Sequence, residues 1–329
     1  MASRGAVAKR GGAAERLDAA ARAGLVALAD KGVTVFVCDE RIGYFSAAGE
    51  QDFQSGRFVI GNEALMPIRW ALSRTGVSRN YCEKGRVIRA MKRLAPSRER
   101  AAVSRAFVEG MVGWQNGTLD LRAGRLLPFA EETACRYNIP HAFPDDGPSK
   151  PHALEVAALL ERLFGTPGAA QLVFLLRDCL LCRAGVGCIV LPGGGCSGKS
   201  TITQLMLSAF GRDGVCRQVV KHLTTRSKSM QDGMAGTRFL TKVYTSHKVI
   251  AKIDRDASYF SSVGTTPFLC TDDAEILDRR WVPLNSAVFR LNGQLGKEDR
   301  HLMDIARSAA HGAAFAQMVC TGSLSGQSS

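Results

Sequence analysis

A chain of 329 residues, 46% hydrophobic, has room for one large domain or two ordinary ones with a core in each. Its 43 Lys and Arg against 30 Asp and Glu leave a charge of +13, which suits a polyanionic partner or a solvated basic surface and says nothing of fold. The composition also weighs against a membrane span and a zinc module: the longest apolar run, Ala169 to Leu181, is interrupted by Gln171, Arg177 and Asp178, and the single C-x-x-C, Cys179 to Cys182, has no second pair at zinc-ribbon spacing.

In chain order, residues 1–24 are rich in Ala, Gly and Arg. They read as a basic disordered arm, a transit peptide or a frayed terminus. From Leu25 to Phe53 alternation predicts two or three strands, with turns at Asp30-Lys31-Gly32 and Ala48-Gly49. From Arg69 to Arg105 the pattern turns helical, with eleven basic residues against only Glu83 and Glu99. Arg86, Arg89, Lys92 and Arg93, with Trp70 and Tyr81 interleaved nearby, are the candidate contacts to a nucleic-acid backbone; a solvated helix face is the alternative. Gly113 to Phe129 predicts a hairpin turning at Asn116-Gly117. The Pro- and Gly-rich stretch from Ile139 to Pro151 is the expected linker. The expected domains are therefore an N-terminal α+β domain over 25–150 and an α/β domain over 151–320, with a disordered tail over 321–329.

The second domain opens with two apolar-periodic helices, Ala153 to Phe164 and Ala169 to Arg183, then a strand over Gly187 to Leu191. "LPGGGCSGKST" follows, filling each fixed position of G-x-x-x-x-G-K-[ST] with Gly193, Gly198, Lys199 and Ser200. Glycines let backbone N–H groups turn toward phosphates, and the helix that follows presents its positive end. Gly193, Gly194, Gly195, Cys196, Ser197, Gly198, Lys199, Ser200 and Thr201 are thus the expected ATP site, with Lys199 on the β and γ phosphates and Ser200 on Mg²⁺. Hydrolysis also needs a carboxylate on a second strand. Asp254, ending "HKVIAKID", is the candidate, its alternative being a turn residue. Asp272, after the short strand Phe268 to Cys270, suits a γ-phosphate sensor. Arg279 and Arg280 suit an arginine finger reaching a neighbouring subunit.

The order of these motifs resembles the superfamily 3 helicases, in particular the primase-helicases of phages, plasmids and large DNA viruses. The likeness covers roughly Leu25 to Phe289. It is carried by "NGTLDL" (Asn116 to Leu121), by the helix pair, strand and phosphate loop, and by "FLCTDDAEILDRRWVPLNSAVF". It implies an AAA+-like core that assembles as a ring, commonly a hexamer, hydrolyses ATP at subunit interfaces and moves single-stranded DNA through a central pore. It further implies a pore hairpin over Leu240 to Lys252 with His247 and Lys248 near its tip, a separate primase or other replication proteins as partners, no membrane, and work in the host nucleus or cytoplasm where that DNA replicates. Asp272 stands where the family has Asn, and no clean magnesium-carboxylate strand follows the loop. Two functions therefore stand: an ATP-dependent helicase or translocase, and a nucleotide- and DNA-binding replication scaffold that does not hydrolyse. A small-molecule kinase, the third possibility, fits the flanking motifs less well.

Overall fold

The computed structural model describes residues 4–47, 53–74, 81–99, 110–135, 138–144, 149–181, 189–218, 240–244, 266–271, 287–292 and 297–324. The chain forms two compact units, Met1–Val108 with Leu127–Cys135, and Glu109–Leu126 with Arg136–Ser329.

Among the described residues the first unit packs three helices on a small antiparallel sheet. Helix α1 spans Arg4–Ala29. Where an arm was expected, alanine-rich sequence of high helix propensity continues into a segment that places Ala21 and Leu28 in the core, with Leu17 and Leu25 packed against it. Asp30 to Gly32 ends this helix instead of joining strands: Gly32 has φ 70° and its N–H donates to the Ala29 carbonyl at 2.8 Å. Strands β1 (Val33–Cys38) and β2 (Arg41–Ser46) then pair in register from Val33↔Ser46 to Cys38↔Arg41. Their two-residue turn is Asp39-Glu40, both at positive φ (47° and 59°), the backbone twist that tight hairpins require. Strand β3 (Phe58–Ile60) adds to β2, and α2 (Asn62–Arg74) and α3 (Tyr81–Leu94) follow. Arg98 closes this unit, with its guanidinium over Phe36 and Phe58 and a 2.7 Å ion pair to Glu131. The expected turn at Ala48-Gly49 lies outside the described residues.

The second unit begins with β4 (Met111–Trp114), β5 (Gly117–Asp120) and β6 (Arg125–Leu127). Trp114 pairs with Gly117, so the hairpin turns on Gln115-Asn116, one residue earlier than Asn116-Gly117. Asn116 serves elsewhere: its amide donates to the Phe143 carbonyl at 2.9 Å and accepts from the Phe143 N–H at 2.7 Å. Ile139, fully buried, donates its N–H to Gly113. The Pro-rich stretch is therefore tied to the hairpin, and the units divide before the hairpin instead of at residue 150. Val112, Trp114 and Leu119 share a core with the helices that follow, which is why the hairpin belongs here.

Helix α4 (Lys150–Leu180) breaks at Gly165 (φ 70°, ψ 161°) just before Pro167, giving the two expected helices. Its length and apolar content would suffice to cross a bilayer. Within the fold its apolar positions, among them Leu160, Leu172, Val173 and Leu176, are fully buried core. The central element is a parallel sheet in the order β11-β7-β10-β9-β8, made of β7 (Ile189–Pro192), β8 (Val215–Gln218), β9 (Leu240–Tyr244), β10 (Thr266–Thr271) and β11 (Ala287–Val288). Each pairing is parallel, the mark of an α/β architecture. Leu240–Tyr244 is thus an interior strand hydrogen-bonded on both sides, and the rest of the expected pore hairpin, residues 245–252, lies outside the described residues. Helix α5 (Lys199–Gly214) leaves the helical conformation at Gly211 (φ 63°), as the sequence predicts. Helices α6 (His301–Arg307) and α7 (Ala309–Thr321) complete the core, α7 approaching α5 so closely that a Cβ on Gly312 would lie 2.7 Å from the Ser208 carbonyl. Residues 325–329 lie outside the description.

Candidate functional site

Strand β7 is fully buried, with β11 on one side and β10 on the other. In such a sheet the carboxyl ends of the strands open into a crevice where ligands bind. At that end of β7 the chain enters the loop Gly193 to Gly198 and re-emerges as α5, whose first residue is Lys199. Two positions show why the loop is glycine-rich. Gly198 has φ 100°, which a side chain resists. A Cβ on Gly193 would stand 2.7 Å from Ser197 Oγ, so the loop could not fold this tightly around a larger residue. Gly194 and Gly195 face open space instead. Cys196, exposed, takes φ 60°, a left-handed turn between the two halves of the loop.

Lys199 is folded back over this turn. Its ammonium donates to the carbonyls of Gly193 (2.5 Å) and Gly194 (2.7 Å) and to Ser197 Oγ (3.1 Å). Three oxygens hold one cation over the loop, next to the helix end where the N–H groups have no intrahelical acceptor. Ser200, the next residue, is exposed; Thr201 turns inward and is buried. One turn into α5, the buried Thr203 bonds to the Lys199 carbonyl at 2.7 Å and lies 3.9 Å from Cys270 Sγ on β10. That contact fastens α5 to the strand beside the loop. The motif says nothing of Thr203; only its spacing of four from Lys199 marks it as lying one helical turn along.

Strand β10 runs beside β7 in register Leu269↔Val190, Cys270↔Leu191 and Thr271↔Pro192, so its end lies level with the start of the loop. Asp272 follows Thr271 in sequence and itself lies outside the described residues, as do Asp254, Arg279, Arg280, His247 and Lys248. Strand β9, next beyond β10, reads Leu-Thr-Lys-Val-Tyr and carries no carboxylate.

The basic candidates lie in the first unit, on α3. Val87, Ile88, Ala90 and Met91 face the core, which turns Arg86, Arg89 and Arg93 outward and leaves Lys92 half-buried. Arg93 pairs with Asp18 at 2.7 Å, and Lys92 donates to the Glu40 carbonyl. Arg89 bonds only weakly within its helix, to Gly85 at 3.4 Å.

No family model and no curated protein matches the chain. Among solved structures it is similar to the C-terminal region of NrS-1 in its apo A form, at 12% identity and a TM-score of 0.52, over 92% of this chain and 68% of that one. Two further apo structures of that region match at 10% and 11% identity with a TM-score of 0.53, over 89% of this chain and 67% of theirs. At such identities the likeness is one of fold.

Proposed function

We propose that the loop Gly193 to Thr201 binds the phosphates of ATP and that the protein is an ATP-dependent DNA helicase or translocase of a viral or mobile-element replication system. The observation that carries this reading is the lysine at the head of α5, held by its own loop carbonyls at the carboxyl end of a central parallel strand. The likeness in fold to the C-terminal region of NrS-1 is loose and supports the α/β setting of this loop. Bound nucleotide takes over the role of the loop oxygens: Lys199 turns from Gly193 and Gly194 to the β and γ phosphates, and the loop N–H groups and the α5 terminus add positive potential. The exposed Ser200 hydroxyl is a hard oxygen donor of the kind Mg²⁺ takes, beside the phosphates that supply its other ligands. When bound, the ion neutralises charge developing between those phosphates. Asp254 is the carboxylate proposed for the magnesium side and Asp272, next in sequence after Thr271, the proposed γ-phosphate sensor, with Arg279 or Arg280 acting on a neighbouring subunit of a hexameric ring. Single-stranded DNA and a separate primase are the proposed partners.

One observation favours the second reading, a scaffold that binds nucleotide and DNA without hydrolysis: β9 carries no carboxylate. ATP turnover by the purified protein, with and without single-stranded DNA, separates the two. Turnover that DNA stimulates and that Lys199→Ala lowers at least tenfold, roughly 1.4 kcal/mol of lost transition-state stabilisation, supports the motor. Tight ATP binding with no turnover supports the scaffold. No ATP binding at all removes both.

A further inference from the structure

Ser197 carries the one hydroxyl between Gly193 and Gly198, and it is turned inward. The residue is 5% exposed, and its Oγ sits so close to the start of the loop that a Cβ on Gly193 would lie 2.7 Å away. Its neighbours face the other way. Cys196 is exposed, and Gly194 and Gly195 have open space where a Cβ would stand. From this enclosed place Ser197 Oγ accepts from the Lys199 ammonium at 3.1 Å. An enclosed hydroxyl without a partner is costly, so the bond satisfies Ser197 as much as it holds Lys199. The carbonyls of Gly193 and Gly194 hold the same ammonium from the other limb of the turn.

We propose that Ser197 is a positioning residue that keeps Lys199 drawn back over its own loop and thereby opposes the binding of nucleotide phosphate. The inference rests on the ATP-binding reading given above and names what regulates that site. Under that reading Lys199 leaves the loop oxygens for the β and γ phosphates. Gly194 lies at the surface, where water can take over from the departing lysine; Ser197 does not. Nucleotide binding therefore breaks a bond of the free protein and leaves a buried acceptor without its donor in the bound one. Both effects disfavour the bound state, and both vanish with the hydroxyl. A loop that loses this polar group thus gains affinity, because the free state that competes with binding is weakened. A hydroxyl that ligated phosphate itself would give the opposite result. Its place against Gly193, on the inner side of the turn, favours the restraint.

The test uses the full chain without DNA and a fluorescent ATP analogue titrated to equilibrium. Ser197→Ala is expected to bind about tenfold more tightly than wild type, a direction that mere loss of loop structure does not produce. A second measurement, free of nucleotide, reads the contact itself through a double-mutant cycle in urea. There Ser197→Ala lowers stability in the wild-type background and not in Lys199→Met. Unchanged affinity in Ser197→Ala overturns the proposal and leaves the ATP-binding reading intact. Weaker binding overturns it too, and makes the hydroxyl a phosphate ligand or a support of the loop. Equal stability losses in the two backgrounds overturn it as well, since the hydroxyl then acts through something other than Lys199. Wild type that binds no analogue defeats the ATP-binding reading and this inference together.

Discussion

Lys199 and Cys320 show how differently one fold treats two reactive side chains. Lys199 donates to oxygens of Gly193, Gly194 and Ser197, the partners that phosphate would replace under the proposed function. Cys320, on α7, is sealed in the core, and burial pushes its thiol up to about 12, offset only weakly by Arg177. A thiol that resists ionisation when folded but ionises from its ordinary value of about 9.0 when unfolded stabilises the folded chain fully below that pH. Above it the folded state holds one proton more than the unfolded state, so stability falls as pH rises, by up to about 1.4 kcal/mol per pH unit, until the folded thiol ionises near 12. Tyr44, its hydroxyl also raised by burial, adds a loss of the same sign. Urea midpoints measured from pH 8 to about 10.5 should therefore drop more steeply in wild type than in Cys320→Ala, which lacks the titrating group. Parallel curves would mean that the thiol reaches water in the native state. At pH 8 the variant is expected to be the less stable of the two, by about 1 kcal/mol for the lost packing.

At the scale of elements, the β4–β5 hairpin shows what sequence pattern can and cannot reveal. Its strands were legible because Thr118 to Leu121 alternates, but the turn falls one residue earlier than the Asn-Gly signal implies. The reason is long-range: the Asn116 amide is engaged twice with the backbone of Phe143, a partner that no local pattern names. Asp120 has a local role, accepting the N–H groups of Arg122 and Ala123, which hold its carboxyl below the usual range. Asn116→Ala should consequently lower unfolding stability by about 1–3 kcal/mol, two hydrogen bonds being lost and a backbone donor left without its acceptor. Asn116→Asp, which keeps the acceptor for the Phe143 N–H, should lose less; equal losses in chemical denaturation would show that the amide pair matters little. The same contrast holds across the fold. The break at Gly165, the stop at Gly211 and the glycine-rich loop before Lys199 were readable, because each depends on a residue whose own backbone preference decides the outcome. The Asp39-Glu40 turn was not, since Asp tolerates positive φ but Glu disfavours it, and strand pairing imposes it on both. The role of Leu240–Tyr244 as an interior strand was hidden for a related reason: its Thr and Lys interrupt the apolar run that marks a buried strand.

For the whole molecule, charge and chemistry fall on different units. The candidate nucleotide loop belongs to the second unit, while the densest basic sequence, including the exposed Arg86 and Arg89, belongs to the first. A net +13 spread evenly would give only diffuse attraction to any polyanion, with no single position mattering. On α3 packing of Val87, Ile88 and Met91 turns Arg86 and Arg89 outward, so the phosphate contacts proposed for them can be removed one at a time. Each phosphate contact made by an arginine releases counterions and contributes close to one to the slope of log affinity against log salt. Charge reversal of both, Arg86→Glu with Arg89→Glu, should thus weaken binding of single-stranded DNA and lower the salt slope by about two. Affinity for a fluorescent ATP analogue measured without DNA should stay as in wild type, and Lys199→Ala should show the opposite pattern, losing nucleotide and keeping DNA. An unchanged salt slope in the double reversal would place the DNA elsewhere on the molecule and leave the α3 stripe a solvated face. If DNA-stimulated ATP turnover is then lost in both variants while each keeps one ligand, the two units act in series. Turnover that persists in the arginine variant would show that the motor reads DNA through residues outside α3.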